Sequence, residues 1–519
     1  MFQKILQWIR EVLNKMLDRG SVKSALGVDI TTSIYMTNAL LLWSEMYVGR
    51  AYWLNQGTNG ISGESGKEIR EMRSLNLPAA IAGEIARAVT IELKVEVSGS
   101  PRATFLAEQF ENILPHIRRQ VEYGCAKGGL MLKPYIQGNQ IAVDYVQADQ
   151  FYPIKFDANG HITACVFSDQ RVIGNRFYTR LEYHTMTPEG CLIRNQAFRS
   201  QSLGTLGSAC DLSEVDDWAD LQEEATITGV DKPLFAYFKY PLANNIDPTS
   251  PLGVSCYSRA VELIESADQQ WSDLLWEFES GKRALYVDSL AFGKDKNGKP
   301  MLPNKRLYRT LEPNDPSSNM FEEWSPTYRE QNIINGLDAI LQKIEFVCGL
   351  AAGTLCTDIR GDTVRTATEI KISRQRTYAT ITDTQKNLEE ALEQLLWAMD
   401  QWATIGGLAP VGKYQVVYDF DDSVVTDHDV QLSQDMQVTT AGLMPKYMFR
   451  MRNYGETEEI AKAVIAEIQK EQMAESSLFA VPGGQPGGGG GTVDAANMSS
   501  VMQDKMQPMK PIRRVIADQ

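Results

Sequence analysis

Residues 366–402 read TATEIKISRQRTYATITDTQKNLEEALEQLLWAMDQW. Thr366 and Glu369 stand in the S/T-x-x-E spacing, in which each side chain satisfies an orphan donor at a helix start. No Gly or Pro interrupts the run before Gly406-Gly407. Ile381, Leu388, Leu392, Leu395, Met399 and Trp402 recur at the steps of a single helical stripe. The stretch predicts one helix of about 37 residues, roughly 55 Å long at the usual rise per residue. Helices average about 11–12 residues. Its first half is rich in Thr, Arg, Lys and Gln, and its second half in Leu. The start is therefore expected to face water or a partner, and the end to join a core.

Two further long helical patterns lie upstream. From Ser255 to Ser280, the residues Tyr257, Val261, Ile264, Trp271, Leu275 and Phe278 share a stripe, with Asp268 as its polar interruption. Gly281 followed by Lys282-Arg283 is a helix stop. From Thr327 to Leu350, Ile333, Leu337, Ile340, Ile344 and Val347 step by four and three. The segment between them holds strand-like pieces (ALYVDSLAF, KRLYRTL) and turn clusters (KDKNGKP, EPNDPSSN). The order is helix, small β insert, helix, loop, very long helix.

That order resembles tailed-bacteriophage portal proteins of the siphophage type. The residues carrying the likeness are GKRALYVDSL after the first of these helices, RTATEIKISRQRTYATITDTQKNLEEALEQLL, YDFDDSVVTDHD and AGLMPKYMFRMRNYGETEEIAKAVIAEI. The likeness covers most of residues 1–475. It implies an α+β, mainly α subunit with wing, stem helices, clip, tunnel loop, long wing helix and helical crown. The wing would span 1–250, with a β meander at 127–199. The first stem helix would be 251–283, the small α/β clip 284–326, and the second stem helix 327–350. The tunnel loop would be 351–365, the long wing helix 366–405, the crown 406–475, and a Gly-rich linker and disordered tail 476–519. It further implies a homo-oligomeric ring of about twelve subunits, at the capsid portal vertex of the virion and in host cytoplasm during assembly. Double-stranded DNA would pass through it non-specifically. Implied partners are the terminase large subunit, head–tail adaptors, and the major capsid and scaffolding proteins. No cofactor is implied.

At 519 residues the chain is long enough for several domains. Its 43% hydrophobic and 23% charged fractions are those of an ordinary soluble protein. Seven cysteines, an odd number without a C-x-x-C pair, read as free thiols in a reducing compartment. No apolar run approaches the ~20 residues of a membrane span. At the N-terminus, Phe2, Ile5, Ile9, Val12 and Met16 are interleaved with Lys4, Arg10, Glu11 and Lys15. That is an amphipathic helix and not the apolar core of a secretory signal. Docking on the rest of the protein suits it better than a membrane surface.

The net charge of −15 argues against a protein that grips DNA by neutralising phosphates. It is compatible with a conduit, whose acidic wall keeps a sliding duplex off the surface.

Between these landmarks, helices are expected at about 34–55, from Leu77 toward Val97 with a strand-like IELKVEV end, and at about Ala103 to Tyr123. Residues 127–199 read as a β meander with turns at Gly138-Asn139, Asn159-Gly160 and Glu189-Gly190. Residues 201–231 read as a polar link, and LFAYFKYPLANN as an extended segment. After Gly406 come a strand, an acidic loop and helices broken at Gly442 and Pro445. VPGGQPGGGGG is a flexible linker.

No phosphate loop, H-E-x-x-H or nucleophile elbow occurs. His116, His161, His184 and His428 are scattered and read as satisfied or exposed. Asp419, Asp421, Asp422, Asp427, His428 and Asp429 form one acidic cluster. It reads as a solvated loop or subunit contact, with a structural cation on Asp419, Asp421 and Asp422 as a second reading. A metal-dependent, nuclease-like enzyme using 419–429 is the alternative function. It lacks a basic group nearby to hold a phosphodiester.

LCTDIRGDTVR, 355–365, lies between two long helices, where polar, Gly-containing loops place moving contacts. By the resemblance it is the tunnel loop facing DNA. Arg360 and Arg365 would touch phosphates, Asp358 and Asp362 would limit the grip, and Gly361 would give a hinge. In the clip, Arg306, Arg309, Phe321 and Trp324 are the candidate contacts for the packaging motor or a neighbouring subunit.

Overall fold

The computed structural model describes residues 17, 19–54, 58–59, 69–70, 72–202, 204–288, 308–311, 321–356, 367–420 and 428–478. The chain divides into two compact units, Met1–Val425 and Thr426–Gln519.

The first unit opens with α1 (Arg19–Leu26) and α2 (Ile34–Tyr47), whose N-cap Ser33 accepts from the Met36 N–H. A two-stranded piece, β1 (Thr58–Asn59) with β2 (Ile69–Arg70), precedes α3 (Leu77–Thr90) and β3 (Leu93–Ser98). The long α4 (Pro101–Lys127) follows. Its start combines an N-cap Ser100, accepting from the Ala103 N–H, with Pro101 at the position where a missing N–H costs nothing. It runs past the expected end near Tyr123 and stops at Gly128, whose φ of +85° turns the chain directly into a strand. A Cβ there would lie 2.6 Å from the Gly253 carbonyl oxygen, so only glycine allows the approach.

The expected meander is split between two sheets. β4 (Gly129–Gln137) and β5 (Gln140–Gln147) form a hairpin joined by β12 (Ala236–Lys239), which pairs antiparallel with β4. A second sheet runs in the order β10-β9-β8-β7-β6. Its strands are β6 (Phe151–Phe156), β7 (Ile162–Ile173), β8 (Arg176–Thr187), β9 (Gly190–Ser200) and β10 (Ser208–Cys210), with β11 (Glu224–Thr228) also on β9. Residues 201–231 are thus no polar link. They return twice to the β9 edge, and Trp218 is buried between, its Nε1–H donating to Asp169 Oδ2 at 3.2 Å. The two sheets are tied by a buried charge cluster. Lys133 of β4 reaches Glu182 of β8 at 2.6 Å, and Glu182 also holds His184 at 2.7 Å and Arg180 at 3.2 Å.

Beyond the sheets come α5 (Val261–Ser280), β13 (Ala284–Asp288), β14 (Tyr308–Leu311), β15 (Phe321–Trp324), α6 (Glu330–Cys348) and α7 (Ala367–Ile405). α5 starts at Val261, later than the stripe from Ser255 predicts. The intervening backbone is engaged elsewhere: the Cys256 N–H bonds the Cys125 carbonyl at 2.9 Å, and the Ser255 hydroxyl accepts from the Tyr257 N–H. α6 is likewise trimmed from the expected 327–350. α7 confirms the long uninterrupted helix. Ile381, Leu388, Leu392, Leu395 and Met399 are buried, while Gln375 and Arg376 near its start are exposed. It lies across β4 and β12, where Asn387 donates to the Lys239 carbonyl and Gln394 to the Pro233 carbonyl.

β16 (Gln415–Phe420) pairs antiparallel with β3. Its Val416, Tyr418 and Phe420 pack on the main core with Leu93, Val95 and Val97. Residues 406–420 therefore belong with the first unit, and the expected crown at 406–475 is divided. The second unit contains α8 (His428–Thr440), α9 (Lys446–Tyr454) and α10 (Glu458–Leu478). Within it, Asp435 is buried and accepts from Arg452 and Asn453, and Arg450 holds Glu456 through two hydrogen bonds. All seven cysteines are unpaired, and six are buried. Among the described residues no helix is long and apolar enough to cross a membrane.

Candidate functional site

α5 and α6 pack side by side as an antiparallel hairpin. Arg329, just before α6, binds Glu277 near the end of α5, Nη2 to Oε2 at 2.8 Å, and its backbone N–H reaches Oε1 at 3.0 Å. Further along α6, Gly336 lies beside Gln270, further back on α5. The hairpin is acidic: α5 carries Glu262, Glu265, Asp268, Asp273, Glu277 and Glu279 and no Lys or Arg. α6 adds Glu330, Asp338 and Glu345 against Lys343 alone.

Asp268, the polar interruption of the stripe, is 1% exposed. Its Oδ2 accepts from Trp53 Nε1–H at 2.9 Å, and its Oδ1 from the Leu75 N–H at 2.7 Å. Burial pushes its carboxyl up from the ordinary value, against the pull of these bonds. It fixes the chain on both sides of residues 55–71 to the hairpin, a role its place in the stripe does not announce.

Between the helices, β13 is the central strand of a three-stranded sheet. It pairs parallel with β14, Tyr286 opposite Arg309, and antiparallel with β15, Ala284 opposite Trp324 and Val287 opposite Phe321. The parallel pair requires a crossover connection of about a dozen residues or more, and 289–307 supply it. The expected clip is thus a β unit among the described residues, without a described helix. At its junction with the hairpin Arg283 binds Glu323. Phe278 and Tyr328 lie 5.6 Å apart, and the Tyr328 hydroxyl donates to the Gly281 carbonyl. Both rings are exposed, as is Trp276 elsewhere on α5.

After α6 the chain enters a turn held by Glu345. That carboxylate accepts backbone N–H groups from Gly353, Leu355 and Cys356, at 3.1, 2.6 and 3.2 Å. The sequence stripe marks Ile344 and Val347 and passes over Glu345.

Of the candidate residues, Arg309, Phe321 and Trp324 stand on β14 and β15 of one small sheet. Arg306 lies outside the described residues. So do Asp358, Arg360, Gly361, Asp362 and Arg365, as well as Asp421 and Asp422. Asp419 sits on β16 directly across from Lys94 of β3, in the position of a cross-strand ion pair. Among the described residues no three His, Cys, Asp or Glu gather to hold a metal. His184 pairs with Glu182 through Nε2 alone, its buried Nδ1 having no hydrogen-bond partner among the described residues, and His161 pairs with Asp157.

Comparison with curated protein sequences finds no match. Two solved structures are similar in fold. One, titled "Neck of native GTA particle computed with C12 symmetry", shares 11% identity over 72% of this chain and 89% of that one, at a TM-score of 0.38. The other, "Neck of empty GTA particle computed with C6 symmetry", shares 10% identity over 83% and 97%, at 0.42. A family model described as "Phage portal protein, SPP1 Gp6-like" matches residues 104–477, well over half of the chain. The chain belongs to the SPP1 Gp6-like family of phage portal proteins.

Proposed function

We propose that this portal protein forms an oligomeric ring of about twelve subunits at the capsid vertex, through which double-stranded DNA is packaged and later ejected. The observation that carries the reading is the acidic helical hairpin with a small sheet inserted at its tip, followed by a single long helix. A hairpin so poor in Lys and Arg suits a channel wall, because like charge keeps the phosphate backbone off the surface and lets the duplex slide. The sheet of 284–326 is the docking element for the terminase large subunit and then for head–tail adaptors, with Arg306, Arg309, Phe321 and Trp324 as its contacts. Residues 1–250 act as the wing and 351–365 as the tunnel loop, with the stem and long helix as drawn from the sequence and the crown confined to the second unit. Capsid and scaffolding proteins contact the outside. Assembly takes place in host cytoplasm, and the finished ring stays in the virion. The role is structural, and the motor's ATPase is another chain.

The reading is tested by particle complementation with Arg360→Ala, Arg365→Ala and Gly361→Pro. Each exposed charge contact carries only about 0–1 kcal/mol, yet a ring multiplies it. Assembled rings with altered packaged or retained DNA, more altered at low salt, are the expected result. Normal packaging and retention in all three variants would reduce this segment to a connector.

A further inference from the structure

Glu345 is 1% exposed, and among the described residues no Lys, Arg or His pairs with it. A buried carboxylate without a cation is costly unless hydrogen bonds to it replace the lost water. Here the donors come from one short segment just beyond its own helix. Oε1 accepts from the N–H groups of Gly353, Leu355 and Cys356, Oε2 also accepts from Gly353, and the Cys356 thiol lies 3.6 Å from both oxygens. Successive backbone N–H groups converging on an anion form a nest. A carboxylate suits it because both oxygens only accept.

The exit from α6 is fixed on its other sides too. Gly349 adopts φ +75°, and a Cβ there would come within 2.5 Å of Thr380 Oγ1 on α7. That hydroxyl donates to the Gly349 carbonyl at 3.2 Å. Arg376 of α7 lies 4.0 Å over the Phe346 ring and donates to the Phe346 carbonyl. These contacts tie α6 to α7, and among the described residues Glu345 accepts the hydrogen bonds that tie 353–356 back to α6.

We propose that Glu345 is a positioning residue for DNA passage: its carboxylate, held by the 353–356 backbone nest, sets where the connection between stem hairpin and long helix begins. The consequence for DNA rests on the portal reading; the nest itself does not. Glu345→Gln keeps the shape and one acceptor oxygen, but sets an NH2 donor against the Gly353 N–H. Glu345→Ala removes both oxygens.

The experiment measures amide hydrogen exchange on the assembled protein, ring mass by light scattering, and nuclease-protected DNA per particle. In both variants, exchange at Gly353, Leu355 and Cys356 is expected to quicken by about tenfold or more, and more for Ala than for Gln. Exchange in α5 and α7, and ring mass, should stay as in the parent. Protected DNA per particle should shift away from the parental amount in both variants. Unchanged exchange in both variants would overturn the nest. Faster exchange with parental DNA content would leave Glu345 merely structural and overturn the positioning role, as would loss of ring assembly in both. Failure of the portal reading appears separately, as parent particles whose DNA content does not depend on this chain.

Discussion

Two buried carboxylates in the first unit respond to pH in opposite directions. Burial pushes Glu182 up, but Lys133, His184 and Arg180 together outweigh it and hold the carboxyl well below the usual range. Its stabilisation is present above the unfolded value of about 4.3 and is lost as pH falls through the folded one. Asp268 is raised by burial, so its contribution is full below about 3.9 and declines as pH rises through its folded value. Lys133→Met keeps an apolar stem and deletes the ammonium, which lies 5.1 Å over the Phe167 ring. It should cost about 3 kcal/mol, the low end for breaking a buried pair, because Arg180 and His184 remain. Urea titrations from pH 7 downward check this: the cost should shrink as pH falls below the unfolded value of about 4.3 toward the depressed folded one. An equal cost throughout would remove the charge from the explanation. Asp268→Asn should instead narrow its stability gap to the parent as pH rises through the mildly acidic range.

Among the elements, α7 shows how much a sequence tells. Ile381, Leu388, Leu392, Leu395 and Met399 lie where their spacing puts them, because a period of 3.6 with no breaker admits one answer. The hairpin helices are equally legible, but not their ends: α5 begins late because the Cys256 N–H bonds across the fold to Cys125 and the Ser255 hydroxyl takes the nearby Tyr257 N–H. The split of 127–199 into two sheets depends on β12, far along the chain, choosing β4 as partner. No local pattern carries that choice, and none marks the edge strands within 201–231. Polar residues were the hardest to read. Asp268 looks like an interruption of a stripe and proves to be a buried acceptor for distant backbone, while Glu345, off its stripe, proves to be a buried acceptor for the turn just beyond its own helix. Leu392, fully buried, should lose about 2–5 kcal/mol on change to Ala. Exposed Gln375 on the same helix should tolerate Ala within about 0.5 kcal/mol. Thermal melts of the two variants make the comparison, and equal losses would contradict the division of α7 into a wet half and a core half. For the inserted sheet, Trp324→Ala should impair ring assembly or motor binding while the rest of the first unit melts normally. If removal of 289–320 left both intact, the docking role would move elsewhere.

For the whole molecule the account rests on assembly. The net charge of −15 is unsuited to gripping DNA and suited to letting it slide. A single subunit leaves large apolar side chains in water, among them Tyr35, Trp276, Phe346 and Leu443. Heterologous contacts that close on themselves make rings. The most direct measurement is the mass and shape of the purified protein, by light scattering and negative-stain imaging across a range of salt concentrations. A 58.0 kDa chain in a closed ring of about twelve copies gives about 700 kDa, with a central opening visible end-on. Monomer under every salt condition, without rings on the grid, would contradict the account at its centre.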